Sequence, residues 1–244
     1  MANSYFQFKK FTIQQDRCAM KVTTDACLFG AWVASEVESE KLKVKRVLDI
    51  GTGTGLLSLM LAQKCEAEIN CVEIDEATAK QAQENAGSSP WGKRIFVMPG
   101  DAKKMVPTLC KDFDAIVSNP PFYEKEIRSA TNSKNVAHHS EYLTLKDLLA
   151  IIKDSLTSTG LFFLLLPYKR NEEVKKLFKD QQLHISKMIF VRQSVKHDYF
   201  RIFLKGNLSI TEKETEFDEM SIWDEQQQYT NEFVELLKDY YLHL

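Results

Sequence analysis

No two of the five cysteines form a C-x-x-C pair. Cys18, Cys27, Cys65, Cys71 and Cys110 are odd in number and scattered. That spacing argues against a disulfide framework or a structural zinc site and leaves reduced, buried or half-buried thiols. No apolar run approaches the roughly eighteen residues of a membrane span. The first ten residues are polar and aromatic and lack the apolar core of a signal sequence. A cytoplasmic protein is expected. Neither sign of charge is in large excess: the net charge is −2 and the pI about 6.2. This speaks against a surface coated in positive charge, though a local patch can still carry phosphate contacts. No internal repeat is visible.

What the chain does have is length and alternation. Its 244 residues, 44% hydrophobic and 27% charged, fit one decorated α/β domain, or two small ones. A chain of this size buries roughly 70–75% of its unfolded surface without covalent staples. Thr or Asp before an apolar run marks a helix start, which predicts a helix over Thr24–Glu38. Apolar runs predict strands at Lys45–Ile50, Glu68–Ile74, Arg94–Met98, Asp114–Ser118, Gly160–Leu166, His184–Arg192 and Tyr199–Lys205. Helices are expected between most of them, so the sheet should be mainly parallel, with helices on both faces. Only Gln193–Asp198 separates the last two strands, which requires an antiparallel pair. Beyond Gly206 the chain turns acidic and polar, and an amphipathic tail helix is expected over Asp224–Tyr241.

The first strand ends in Asp49-Ile50-Gly51-Thr52-Gly53-Thr54-Gly55. Glycines at such a place let the backbone turn tightly and approach a ligand. The N–H groups that follow can bind an anion such as a carboxylate. In α/β sheets, ligands sit beyond the carboxyl ends of strands where strand order reverses. Glu73 ends the second strand, where a carboxylate suits two ribose hydroxyls, and Asp49 can order the loop from beneath. A dinucleotide fingerprint would space its second and third glycines by three; here they are two apart. A purely structural glycine turn is the other reading.

The fourth strand runs into Asn119-Pro120-Pro121-Phe122. Taken alone this is a strand-ending turn, since N-P and P-P dipeptides mark turns. Placed after a fourth strand, with the glycine turn upstream, it reads as chemistry. An exocyclic amino group on a base is a poor nucleophile, because its lone pair is delocalised into the ring. Two acceptors, one for each N–H, favour the tetrahedral geometry that attack requires. The Asn119 side-chain carbonyl and the Pro120 backbone carbonyl suit that task, and proline fixes the turn without offering an N–H. Phe122 can stack on the base. The remainder is proximity and orientation, with no metal and no covalent intermediate.

Together these elements resemble the class I S-adenosylmethionine-dependent methyltransferases that alkylate a planar nitrogen. They imply a Rossmann-like, seven-stranded, mostly parallel sheet with an antiparallel last strand and S-adenosyl-L-methionine as cofactor. Phe8 to Asp25, followed by Gly30-Ala31-Trp32, is similar to the tRNA(Val)-specific adenine-N6 methyltransferase family, which modifies the adenine beside the anticodon. The likeness continues through Leu48-Asp49-Ile50-Gly51, Ala82-Gln83-Glu84-Asn85, Ser89-Pro90-Trp91 and Ser118-Asn119-Pro120-Pro121. It covers most of residues 6–170. The resemblance implies transfer of a methyl group to adenine N6 in a tRNA anticodon loop, at A37 of tRNA(Val). The alternatives are DNA adenine, an rRNA base or a protein glutamine.

Carried over residue by residue, the resemblance gives Asn119, Pro120 and Phe122 as catalytic. It gives Lys21, Thr23, Asp49, Gly51, Gly53, Gly55, Glu73, Asp101 and Asn119 as cofactor-binding. Asp101 would accept from the adenine amino group of the cofactor, although it can equally cap a helix. Lys21 to Asp25 would close over the methionine end, although Thr24 and Asp25 also read as helix caps. One methyltransferase domain is expected, with 1–40 as a covering segment, 45–205 as the catalytic core and 206–244 as an acidic linker and tail helix. Two departures stand out. Phe122 replaces the Tyr of many relatives, and Glu212 to Glu219 is an awkward acidic stretch for an RNA binder.

RNA readers splay loop bases onto aromatics or arginine. Pro121, Tyr123, Lys125, Arg128 and His138 beside the presumed pocket are candidate RNA contacts, with Lys134 and His139 nearby. Arg192 and Lys196, near His197 and Arg201, form a second group, and Lys9, Lys10 and Arg17 a third. Each group also reads as a solvated charged surface. The His138–His139 pair has no ligand-spaced partner, so no metal is expected. The expected partner is tRNA, with a monomeric enzyme and no membrane.

Overall fold

The computed structural model describes residues 3–18, 20–39, 44–109, 112–120, 143–209 and 214–244. Each apolar run of the sequence becomes a strand. These are β3 (Arg46–Ile50), β4 (Glu68–Glu73), β5 (Ile95–Pro99), β6 (Phe113–Ser118), β7 (Leu156–Pro167), β8 (His184–Ser194) and β9 (Tyr199–Asn207). Between them lie α2 (Leu56–Ala62), α3 (Glu76–Gly87), α4 (Ala102–Met105), α5 (Leu145–Ser155) and α6 (Asn171–Asp180). Local chemistry sets several helix starts. Asp75 accepts from Thr78 N–H, and Thr144 with Asp147 forms a reciprocal capping box.

With an edge strand β10 (Glu216–Trp223), the sheet order is β10-β8-β9-β7-β6-β3-β4-β5. Strands β3 through β7 pair in parallel, and β9 runs antiparallel to both β7 and β8, as the short 193–198 connection requires. An eighth strand, β10 (Glu216–Trp223), is added parallel to β8, in place of part of the expected acidic linker. Its acidic residues obscure it in the sequence. Met220 and Ile222 enter the core, whereas Glu216 and Glu219 pair with Lys187 (3.1 Å) and Arg192 (3.4 Å). Charges on an edge strand also discourage pairing with another chain. The tail helix is shorter than expected: α7 spans only Asn231–Leu237, capped by Thr230.

The sheet separates two apolar layers. On one side α1 (Thr24–Ser39) is buried nearly throughout, with Trp32 packed on Phe163 and Phe203. Glu36 accepts from Trp32 Nε1 and from Lys205 Nζ (2.8 Å), so the polar groups there are paired. On the other side α5 and α6 cover Phe162, Leu164, Ile202 and Leu204. A short hairpin, β1 (Tyr5–Gln7) with β2 (Thr12–Gln14), meets the C-terminal segment, where Tyr240 is buried with its hydroxyl donating to the Met60 carbonyl (3.0 Å).

Gly206 sits where β9 passes between Phe162 of β7 and Ile185 of β8. A Cβ there would stand 2.2 Å from Phe162 Cζ and 2.3 Å from the His184 carbonyl oxygen. Backbone cannot yield as a flexible side chain would. Gly206→Ala should cost about 3 kcal/mol through overpacking, a fall of roughly 6–12 °C in Tm for a domain of this size. Gly87→Ala, with nothing within 4 Å of the added carbon, should leave Tm unchanged or raise it slightly. Thermal unfolding of the pair measures the difference, and equal Tm values would contradict it.

Candidate active site

Strand order reverses between β3 and β6. The chain builds β4 and β5 outward on one side of β3, then returns to place β6 and β7 on the other. Such a switch point opens a crevice beyond the carboxyl ends of the strands. Register sets what reaches it: Ile50 is level with Val72, and Asp49 with Val117. Gly51, Glu73, Asp101 and Asn119 therefore arrive at one edge.

Gly51, Gly53 and Gly55 have φ of 72°, 55° and 83°, the left-handed region that disfavours side chains. A Cβ at Gly51 or Gly53 would meet nothing within 4 Å, so an open cradle lies above the turn. The turn is tied to its neighbours. Gly51 N–H donates to the Val72 carbonyl (2.8 Å), and Gly53 N–H to Glu73 Oε2 (2.9 Å). Glu73 Oε1 accepts from Asp75 N–H (3.1 Å), so this carboxylate joins the first two loops. Gly100 N–H donates to the Glu73 carbonyl (2.8 Å), which adds the third.

Asp49 lies wholly buried under the turn. Its Oδ2 accepts from Thr52 Oγ1 (2.7 Å) and Ser58 Oγ (2.6 Å), while Oδ1 has no partner. Burial raises its pKa from 3.8 to about 6, against the opposing hydroxyl bonds of Ser58 and Thr52. A buried carboxylate with a spare oxygen beneath an open cradle fits a ligand that carries positive charge. Asp101 is half-buried and caps α4, accepting from Lys103 N–H (2.9 Å); the capping reading is realised at the mouth of the same crevice.

Asn119 is half-buried and Pro120 buried at the end of β6. The buried Ser118 hydroxyl donates to the Ile50 carbonyl (2.7 Å), pinning this strand end to the residue that precedes the glycine turn. Pro121, Phe122, Tyr123, Lys125, Arg128 and His138, with Lys134 and His139, lie outside the described residues.

Residues 14–18 and 20–25 form a strap that leaves β2, crosses α3 and ends at α1. Asn85 holds it with two bonds of 2.9 Å, Oδ1 accepting from Gln14 N–H and Nδ2 donating to the Gln14 carbonyl, and Nδ2 also donates to the Thr54 carbonyl of the glycine turn (2.9 Å). Gln81, one turn earlier and fully buried, accepts from Arg17 N–H (3.0 Å) and Cys18 Sγ (3.1 Å) and donates to Asp16. Further along, Lys21 is exposed and donates to the Asn3 carbonyl (3.2 Å), and the Thr23 carbonyl accepts from Cys27 N–H. Asp25 pairs with Arg201 (2.7 Å), a partly buried link from α1 to β9.

Arg192 and Lys196 reach the same edge of the sheet but not the crevice. They lie toward the β8 side, with β9 and β7 between β8 and β6. Arg192 donates to Ser221 Oγ (2.8 Å) and faces Glu219. Among the described residues no three His, Cys, Asp or Glu side chains are placed to hold a metal, and no helix is long and apolar enough to cross a membrane.

Sequence reasoning gave no role to Ser58, Gln81, Asn85 or Ser118, although Asn85 and Ser118 lie in stretches that carry the family likeness. It also missed Ile74, a 58% exposed apolar side chain directly after Glu73 at the crevice. Gln81 and Asn85 left a signal: two amides one helical turn apart, on the face that Ala82 and Ala86 bury.

Residues 31–166 match the family described as "Methyltransferase small domain". A predicted O-methyltransferase of Agrobacterium tumefaciens shares the fold, with a TM-score of 0.66 over 88% of this chain and 96% of that one at 16% identity. A SAM-dependent methyltransferase of Aquifex aeolicus does so with a TM-score of 0.56 over 76% and 93% at 14% identity. Fold and site together define a class I methyltransferase. At the level of sequence, a tRNA1(Val) (adenine(37)-N6)-methyltransferase of Parabacteroides distasonis is 35% identical over the full length of both chains. One of Salmonella paratyphi B is 37% identical over 98% of this chain and 95% of its own. The chain belongs to the tRNA1(Val) (adenine(37)-N6)-methyltransferase family.

Asp49 makes folding pH-dependent in a definite direction. Its folded pKa lies above the unfolded value, so the folded state takes up the proton first. The contribution to stability is full below about 3.8 and is lost as pH rises through about 6. It amounts to roughly 3 kcal/mol. Asp49→Asn keeps an acceptor for Thr52 and Ser58 but cannot titrate. Wild-type Tm should therefore gain on the variant as pH falls from 7 to 4. A gap that does not change with pH would refute the assignment.

Proposed function

We propose that this chain transfers a methyl group from S-adenosylmethionine to N6 of an adenine in a tRNA anticodon loop, A37 of tRNA1(Val), the activity named for its relatives. The observation that carries the reading is Asn119-Pro120 held beside the glycine turn by the Ser118–Ile50 bond. S-adenosylmethionine, when bound, supplies an electrophilic methyl group on a sulfonium centre. The Asn119 side-chain carbonyl and the Pro120 carbonyl accept the two N–H bonds of the target amino group and turn its lone pair toward that methyl. Phe122 stacks on the target base.

The chain's own groups also fit the cofactor. The open turn at Gly51, Gly53 and Gly55 admits its backbone-facing atoms, and Glu73 takes the ribose hydroxyls, exchanging its bond to Gly53 N–H. Ile74 offers an apolar face to the adenine plane, and Asp101 accepts from its amino group. Lys21 and Thr23, on the strap anchored by Gln81 and Asn85, close over the methionine end, with Lys21 opposite the carboxylate. Pro121, Tyr123, Lys125, Arg128 and His138 are assigned to the RNA side, as are Arg192 and Lys196. The enzyme acts as a cytoplasmic monomer.

Labelled methyl should pass from S-adenosylmethionine to unmodified total tRNA, and not to duplex DNA or a protein extract run alongside. Digestion should yield N6-methyladenosine; label in DNA or protein would overturn the substrate. Asn119→Ala should lower kcat by about 10²–10³, the usual loss for one positioned hydrogen bond, with cofactor affinity within a few-fold of wild type. Glu73→Ala should instead weaken cofactor binding by tenfold or more. A large cofactor defect in Asn119→Ala would sink its assigned role.

A further inference from the structure

Beside the crevice, four aromatic rings form a continuous ladder that the methyl-transfer site does not use. Tyr168, in the turn after β7, meets Phe190 of β8 at 5.5 Å between centroids and Tyr199 of β9 at 5.2 Å. Phe190 meets Tyr199 at 5.6 Å and stacks against Phe217 of β10 at 6.0 Å. Tyr168, Phe190 and Tyr199 are half-buried, and Phe217 is 57% exposed. The Arg192 guanidinium lies 5.6 Å from the Tyr199 centroid, over its ring. Both are braced from one side. Glu219 faces Arg192 at 3.4 Å, and its carboxylate raises the pKa of the neighbouring Tyr199 phenol, while Ser221 accepts from Arg192 Nε. The nearest carboxylate is thus already engaged. The ladder's inner edges rest on the core, and its outer edges face solvent as an exposed apolar patch.

Its position follows from register. Ser118, just before Asn119, is level with Leu164, whereas Pro167 of β7 is level with Arg201 of β9. The start of β9 therefore rises roughly 13 Å beyond Asn119 and stands two strand spacings, about 10 Å, to its side. The ladder flanks the mouth of the crevice on the same edge of the sheet. Lys169 and Lys196 are exposed at its rim.

We propose that the Tyr168–Phe190–Tyr199–Phe217 ladder, with Arg192, is a stacking platform for unpaired bases of the RNA next to the methylated adenine. This rests on the RNA-methylation reading above and adds a second contact surface to it. Flat rings and a guanidinium plane in one continuous surface match the π-faces of splayed loop bases, which proteins take up on aromatics and arginine. The exposed lysines at the rim are complementary to the phosphates those bases carry. Continuity with the adenine pocket favours RNA over a second protein, because the ladder lies on the sheet edge over which the target base must enter. Glu216 and Asp218 on β10 mark the outer limit of the platform.

Steady-state kinetics with unmodified tRNA test this in Tyr199→Leu, which keeps apolar volume but removes the ring, and in the exposed Phe217→Ser. KM for tRNA should rise about tenfold in each, with kcat and KM for S-adenosylmethionine within twofold and Tm nearly unchanged. Tyr199→Phe keeps the ring and should stay within about threefold of wild type. If Tyr199→Leu lowers Tm, Phe217→Ser decides. Unchanged KM for tRNA in Phe217→Ser, with an active wild type, overturns the platform alone. Wild type that methylates DNA or protein but no tRNA overturns the reading beneath it as well. A variant that shifts only the monomer–dimer balance in sedimentation would make the ladder a contact between copies and overturn the RNA assignment.

Discussion

The hydrogen bond from Ser118 Oγ to the Ile50 carbonyl, 2.7 Å long and buried, joins the ends of the two strands between which the sheet reverses its order. Everything at the crevice depends on this junction. Parallel pairing alone would bring the ends of β3 and β6 to the same side. The bond also fixes their level, and so the height of Asn119 against Gly51. The remaining loops are held in the same way: Glu73 reaches Gly53 from β4, and Gly100 N–H reaches the Glu73 carbonyl from β5. Four strand ends thus form one connected rim, in which a ligand can replace a bond without the rim coming apart.

Asp49 shows what such a rim costs. A carboxylate with no exposure and one unpartnered oxygen is a liability, and its burial raises its pKa. An alanine would remove the liability together with the two hydroxyl bonds that shape the turn. Retaining a destabilising charge directly below the glycine turn is the local conflict expected at functional positions. On the other side of the crevice the strap carries no such conflict. Every polar atom of the Asn85 side chain is used, so the covering segment is held at α3 by satisfied bonds, and further along Val22 N–H donates to Gln15 Oε1 (2.8 Å).

Strands β3 through β9 were legible because each is an apolar run bounded by glycine, proline or acidic residues. The glycine turn and Asn119-Pro120 were legible because their chemistry is local. Strand β10 was not. Its first half reads as acidic linker, and only its place at the sheet edge makes Glu216 and Glu219 acceptable there. The β1–β2 hairpin escaped because strands of three residues are too short to show a period. Gln81, Asn85 and Ser118 escaped for another reason. Their bonds span 31 to 71 residues, so nothing in the neighbouring sequence announces the partner. Asp101 was legible as a cap and as a ligand, and the structure displays the cap.

A protein of net charge −2 that acts on a polyanion must recognise it by something other than a positive coat. Many of its cations are engaged internally: Arg17 with Glu84, Arg201 with Asp25, Lys205 with Glu36 and Arg192 with Glu219. Charge attraction is screened by salt and carries no sequence information. Stacking and paired acceptors behave differently. Two carbonyls at Asn119-Pro120 require an amino group with both hydrogens free, and a ladder of rings requires bases with an open face. A duplex offers neither, since its amino groups are paired and its faces are stacked on one another. A splayed loop offers both at once. The geometry that activates the nitrogen and the platform proposed beside it therefore select the same feature of the substrate, and such selection needs no positive coat.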